Sequence, residues 1–304
     1  MDLVDNYLFH FDLKSMEDED YFAIIGIGAT GGAVLEKVYQ SGMRNCRFVV
    51  CLEDVTALNA SYIPAKIRLA GNEAEVGQAE QRLTEEISRT IESTELVFIV
   101  AELNDAGISR TATLVAQQIR AMNRRCVAIV AAAANPAFPL AVPDEATFQV
   151  LSSLCDGLMA VRSTGAEPDT SVHAMTSAIR GLVAMCRASW DTVDFSDVAY
   201  VMRGTGRMAV VEQEADGEQR SEAVLAGIIN QLAAFPFALR SVDRILLHLS
   251  GSPANPVRMR EQYTLVKGLT DQIGSQPRLF KTVYSEDGAL EDRLKMTVLL
   301  WTPV

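Results

Sequence analysis

A chain of 304 residues with 49% hydrophobic content is long enough for one large or two ordinary domains and for a real core. Its 27 basic and 39 acidic residues give a net charge of −12, which argues against a nucleic-acid partner. The longest wholly apolar run, Cys126 to Ala134, is too short to cross a bilayer, so no direct membrane insertion is expected.

In chain order, residues 1–20 form an N-terminal extension with seven acids and one base, Lys14. Its apolar cluster, Tyr7 to Phe11, suggests a short helix packed on the domain in preference to an arm that docks elsewhere. No charged n-region and apolar h-region open the chain, so no signal peptide is expected. The five cysteines (46, 51, 126, 155, 186) lie mostly within apolar runs and lack metal-ligand spacing. They read as reduced core thiols of a cytoplasmic protein, and no metal site is predicted from side chains alone.

The stretch Asp20 to Leu58 reads strand, glycine turn, helix, strand. The apolar run Phe22 to Ile25 stops at Gly26-Ile-Gly28-Ala-Thr30-Gly31-Gly32, and Val34, Leu35 and Val38 then mark one helix face. Gly26 and Gly28 allow a tight turn, and the helix that follows aims free N–H groups and its positive dipole end at whatever lies above the loop. Phosphate is the usual occupant; a tight turn with no ligand is the alternative. Phe48 to Leu52 is a second strand ending in Glu53 and Asp54.

Beyond it, Ala65 to Leu69 is a short extended piece, and Val76, Ala79, Leu83, Ile87 and Ile91 mark a long helix. Glu95–Ala101 is a third strand, Ser109–Met122 a helix, and Cys126–Ala132 a nearly all-apolar fourth strand of the kind buried on both faces. Three prolines (136, 139, 143) hold a loop open before another helix and a short strand near Leu158–Val161. This alternation predicts an α/β fold with a doubly wound parallel sheet, a Rossmann-like domain over 21–170.

The second half changes character. Val172, Met175, Ile179, Leu182 and Cys186 stripe a helix of about five turns, long enough to link two domains. A loop from Trp190 to Val198 carries Asp194 and Asp197 into a helix with Val201 and Met202, so 171–204 forms a central helix and acidic loop. Over 205–304 the order is strand (Met208–Glu212), helix (Glu222–Leu232), strand (Asp243–Leu249), helix (Val257–Ile273) and two strands, Arg278–Tyr284 and Arg293–Trp301. Asp287-Gly288 between the last two is a hairpin signal, and the whole reads as a smaller α+β domain with its helices on one sheet face. His173 is expected to be an ordinary helix residue and His248 a strand residue at the sheet surface.

With these pieces placed, the chain resembles the bacterial cell-division protein FtsZ, and so the tubulin superfamily, from about Tyr21 to Thr302. The fragments GIGATGGAV, CLEDVTAL, EAEVG, LVFIVAE, VDFSDVAYVMRGTG and LLHLSG carry the resemblance by their order and spacing. It implies a GTP- or GDP-binding N-terminal domain, Mg as a possible companion, and subunits stacked head to tail. It assigns nucleotide-binding positions to Gly26, Gly28, Thr30, Gly31, Gly32 and Asp54. It also implies that Asp194 and Asp197 polarise the attacking water at the next subunit's nucleotide. The other reading of this pair is a helix N-cap and a first-turn acid.

The departures from the family pattern are specific. The Gly/Thr-rich phosphate loop after the third strand corresponds to Asn104-Asp105-Ala-Gly-Ile-Ser-Arg110, where nearly all its glycines are gone. A carboxylate about 4 Å from a phosphate charge costs about 4 kcal/mol per charge pair at an effective dielectric of about 20, close to a thousandfold in affinity. Arg110 or a bound metal could offset it. The family's guanine-reading Asp aligns with His173, its strand-end Asn falls at Arg162 and Ser163, and the glycine-loop Asn is Ala33; Thr192 replaces the companion Asn of the acidic loop.

Three function classes follow. The first is an FtsZ-like cytoskeletal or cell-division assembly protein with a degenerate nucleotide pocket, acting as a scaffold or as partner to itself or to an FtsZ-like subunit. The second is a polymerising GTPase with a modified phosphate loop. The third is a Rossmann dinucleotide-binding protein with Glu53 on the ribose. The chain stops right after its last strand, so membrane recruitment by a C-terminal linker peptide like the family's is not expected.

Overall fold

A computed structural model describes residues 21–43, 45–70, 76–103, 105–133, 145–163, 168–192, 195–202, 206–233, 238–274 and 276–303. The extension 1–20, the three-proline loop and Asp194 lie outside the described residues. The first half alternates β1 (Phe22–Ile27), α1 (Gly28–Gln40), β2 (Cys46–Leu52), α2 (Val55–Ala60), β3 (Ala65–Arg68), α3 (Val76–Ile91), β4 (Leu96–Glu102), α4 (Ala106–Ala121), β5 (Arg125–Ala133), α5 (Glu145–Leu154) and β6 (Gly157–Ser163). The long helix α6 (Pro168–Thr192) and α7 (Phe195–Met202) follow. The remainder is β7 (Gly206–Ala215), α8 (Arg220–Leu232), β8 (Arg244–Gly251), α9 (Met259–Ile273), β9 (Leu279–Glu286) and β10 (Leu294–Pro303).

All ten strands join one sheet in the order β3-β2-β1-β4-β5-β6-β7-β10-β8-β9. Every residue of β1 is buried, because β1 lies between β2 and β4 and under helices on both sides. That position requires the unbroken apolar run seen in its sequence. One face of the sheet packs on α1 and α6, through Val34, Leu35 and Val38 and through Val172, Met175, Ile179, Leu182 and Cys186. Leu83, Ile87 and Ile91 of α3, with Ala112, Val115 and Ile119 of α4, cover the other face of the first half. Val224 and Ile228 of α8, with Leu265 and Leu269 of α9, continue that layer over the second half. The second-half helices therefore do lie on one sheet face. All five cysteines are free, and four of them are buried.

Three local expectations are corrected. Asp287-Gly288 makes no hairpin: β10 inserts antiparallel between β7 and β8, while β9 pairs parallel with β8 at the sheet edge. The Asp287 carboxylate instead accepts from the Ala289 amide and starts a short 3₁₀ turn over Gly288–Leu290. The loop expected from Trp190 is largely helical, since α6 runs through Thr192 and α7 starts at Phe195. His248 is not at the surface but buried, its Nε2 2.7 Å from Ser285 Oγ and 3.2 Å from Ser250 Oγ. Two neighbouring hydroxyls partner Nε2, while the buried Nδ1 has no hydrogen-bond partner among the described residues.

A buried ion pair ties the loops at one end of the second half. Arg220, 1% exposed, holds both Glu261 oxygens, at 2.7 and 3.0 Å, and donates to the carbonyls of Asn255, Pro256 and Asp292.

Candidate functional site: the turns at the carboxyl end of the sheet

Strands β1, β2 and β4 run parallel, so the turns leading into α1, α2 and α4 gather at one end of the sheet. That is where ligands bind in doubly wound folds. The β1–α1 turn is tight for steric reasons. A Cβ on Gly26 would stand 2.5 Å from the Gly31 carbonyl oxygen, and one on Gly31 would collide with the carbonyl oxygen of Val100 in β4. Gly28 has φ +73°, in the left-handed region that glycine tolerates best. A Cβ on Gly32 would meet Val50 and Leu52 only at ordinary contact distance. No side chain caps α1, and its first turn contains no acid.

The two neighbouring helices are capped by the chain's own carboxylates. Asp54 Oδ1 accepts from the amides of Thr56 (2.7 Å) and Ala57 (3.2 Å) at the start of α2. Asp105 Oδ1 accepts from Gly107 (2.7 Å) and Ile108 (3.1 Å) at the start of α4. This cap starts α4 three residues earlier than the apolar periodicity suggested. Two further residues, which the sequence did not single out, close the space between the turns. Thr30 donates its hydroxyl to Glu102 at the end of β4. The Ile108 side chain lies over Gly28, with Cδ1 2.8 Å from where a Cβ there would stand. Glu53 reaches the same corner, Oε1 being 3.5 Å from a Cβ position on Gly107.

The structure thus brings together Gly26, Gly28, Thr30, Gly31, Gly32, Asp105 and the unforeseen Glu102 and Ile108, with Asp54 capping the adjacent helix. Arg110 is engaged elsewhere. Its Nε lies 2.6 Å from Glu80 on α3, and both residues line an open cleft of about 420 Å³ with Ser109, Thr113, Gln117 and Thr147. Asp194 lies outside the described residues; Asp197 falls in the first turn of α7. His173 is an exposed residue of α6, as expected. Among the described residues no three His, Cys, Asp or Glu side chains converge as metal ligands. No described helix is long and apolar enough to cross a membrane.

A parallel sheet with glycine turn, long cross-sheet helix and mixed second half is the FtsZ/tubulin fold, and comparison with solved structures bears this out. An FtsZ dimer from M. jannaschii, described as empty, superposes with a TM-score of 0.76 at 18% identity, covering 95% of this chain and 90% of that one. CetZ from Methanosaeta thermophila gives 0.65 at 16% identity, over 91% and 85% of the two chains. No family model matches the sequence. By sequence the chain is FtsZ-like, a distant relative of cell division protein FtsZ. It is 22% identical to that of Wolbachia sp over 316 residues, 91% of this chain and 78% of the relative. It is 24% identical to that of Magnetospirillum gryphiswaldense over 254 residues, 75% of this chain and 45% of the relative.

Proposed function

We propose that this protein is an FtsZ-like cytoskeletal assembly subunit, cytoplasmic, that binds GTP or GDP weakly or not at all. It acts as a scaffold, with itself or with an FtsZ-like partner. The Wolbachia and Magnetospirillum relatives are cell division proteins, and the M. jannaschii FtsZ is a dimer. The observation that carries the reading is the Asp105 cap. Free amides at a helix N-terminus bind phosphate through their hydrogens and the dipole. At α4 the Gly107 and Ile108 amides are already taken by a carboxylate. A phosphate there would have to displace that carboxylate and then lie beside its charge, at about 4 kcal/mol per charge pair for a separation of about 4 Å. The cation that could offset this, Arg110, is instead directed at Glu80 on α3 in an exposed ion pair. The residues present therefore do not suit a nucleoside triphosphate.

The test is a titration of the purified protein with fluorescent GTP and GDP, with and without magnesium. No saturation in the low micromolar range is expected, and turnover by the protein alone should be negligible. Tight binding would refute the reading and favour a polymerising GTPase with a modified loop; Arg110→Ala should then abolish the binding.

A further inference from the structure

The geometry points to an autoinhibitory clamp between the β1–α1 and β4–α4 turns, in which Glu102 and Ile108 hold shut the space a triphosphate would enter. This inference rests on the proposed function and goes beyond it. Asp105 alone would be a charge beside an open site, whereas the clamp makes exclusion steric and mechanical as well.

Three contacts of different kinds converge. The hydroxyl of Thr30, in the first turn of α1, is bound by the Glu102 carboxylate across the gap from β4. The Ile108 side chain covers Gly28, the one residue of the turn with a left-handed backbone, where an incoming ligand would need bare Cα surface. Asp105 fixes the backbone that carries Ile108 by holding that residue's own amide at 3.1 Å. An anion would thus have to break a side-chain hydrogen bond, move an aliphatic side chain and release a helix cap together. Each contact also joins elements on either side of the gap or anchors one that does. The two turns are therefore tied to each other by the chain's own side chains.

Opening the clamp is the experiment. Asp105→Gly, Glu102→Ala and Ile108→Ala are made singly and together, and titrated with inorganic triphosphate and with fluorescent GTP in magnesium. We expect Asp105→Gly to bind both more tightly than the unmodified chain, and the triple variant to bind both at least 10-fold more tightly again than Asp105→Gly. Amide exchange over 26–32 and 105–110 supplies a second readout. In the Ile108→Ala variant, protection should fall in both stretches together. A folded triple variant that binds triphosphate no better than Asp105→Gly alone overturns the clamp while leaving the proposed function intact. So does exchange that changes only at 105–110. Tight GTP binding by the unmodified chain instead defeats the proposed function itself. Should the triple variant not fold, the exchange pattern of the single variants decides alone.

Discussion

Asp105 and His248 are both polar residues whose behaviour is set by what surrounds them, and only one was readable beforehand. That an aspartate stands at the phosphate loop is visible in the sequence; that its carboxylate caps α4 follows from the ordinary preference of Asp for N-cap positions. Glu102 and Ile108 were not legible as site residues, because their partners Thr30 and Gly28 lie far away in sequence and meet them only through the β1–β4 pairing. His248 was misplaced on the surface because strand alternation says nothing about hydroxyls on a neighbouring strand. Its burial, aided by the positive charge of Lys295, lowers the imidazole pKa to about 4. An unfolded histidine, near pH 6.5, accepts a proton that the folded one refuses. The native state therefore holds its full margin above about pH 6.5 and loses it as the pH falls toward 4, by about 1.4 kcal/mol already at pH 5.5. Urea midpoints at pH 7.5, 5.5 and 4.5 should fall more steeply for the unmodified chain than for His248→Gln. Parallel profiles would show that His248 contributes nothing to the acid sensitivity.

Among the elements, those with a strong period or an unbroken apolar run were legible. The strands β1, β4 and β5, flanked by other strands and helices, had to be apolar along their buried lengths, Phe22–Ile27, Leu96–Ala101 and Cys126–Ala131, and α3 kept Leu83, Ile87 and Ile91 on one face. What local sequence could not carry was pairing. Asp-Gly favours a two-residue hairpin turn, but β10 gains two antiparallel neighbours by inserting between β7 and β8, and that tertiary pairing overrides the turn signal. The β1–α1 turn was legible as a turn, yet its glycines carry two meanings. The structure supplies a packing reason for Gly26 and Gly31, where backbone meets backbone as α1 settles on β1 and β4. Gly31→Ala should accordingly destabilise the fold by about 2–3 kcal/mol, as overpacking against atoms that cannot move aside does. Chemical denaturation measures this, and the loss should be the same with and without added GTP. A loss under 0.5 kcal/mol, on the scale of ordinary surface substitutions, would mean that the turn relaxes freely.

At the scale of the whole molecule, the first six strands follow the 3-2-1-4-5-6 order of dinucleotide-binding folds, so the first half taken alone also matches the weakest of the three sequence readings, a Rossmann site. The continuation of the sheet from β6 into β7 and the passage of α6 across both halves separate the two readings, and neither is visible in any single fragment. The division at 170 and 205 stays a proposal about folding units, because one core cluster runs from Phe22 through α6 to Trp301.

Assembly is the property that this architecture would serve. If the end of the molecule bearing the α1, α2 and α4 turns is closed to nucleotide, the acids Asp194 and Asp197 have no GTP to act on in a stack of identical subunits. They acquire a role only opposite an intact FtsZ-like pocket. On the reading proposed above, the chain therefore caps or copolymerises with such a partner, and its acids serve the partner's nucleotide. The competing account makes Asp194 a cap and Asp197 a first-turn acid, each stabilising α7 by about 0.5–1 kcal/mol. Asn caps a helix nearly as well as Asp but supplies no charge, so Asp194→Asn with Asp197→Asn separates the accounts. Mixed with an FtsZ-like partner, the unmodified chain should change the partner's assembly and GTP turnover. The double variant should lose most of the effect on turnover while keeping its own thermal stability within about 0.5 kcal/mol. An unchanged effect at unchanged stability would leave the two acids no function across an interface, and no effect on mixing the unmodified proteins would remove that partner from the account.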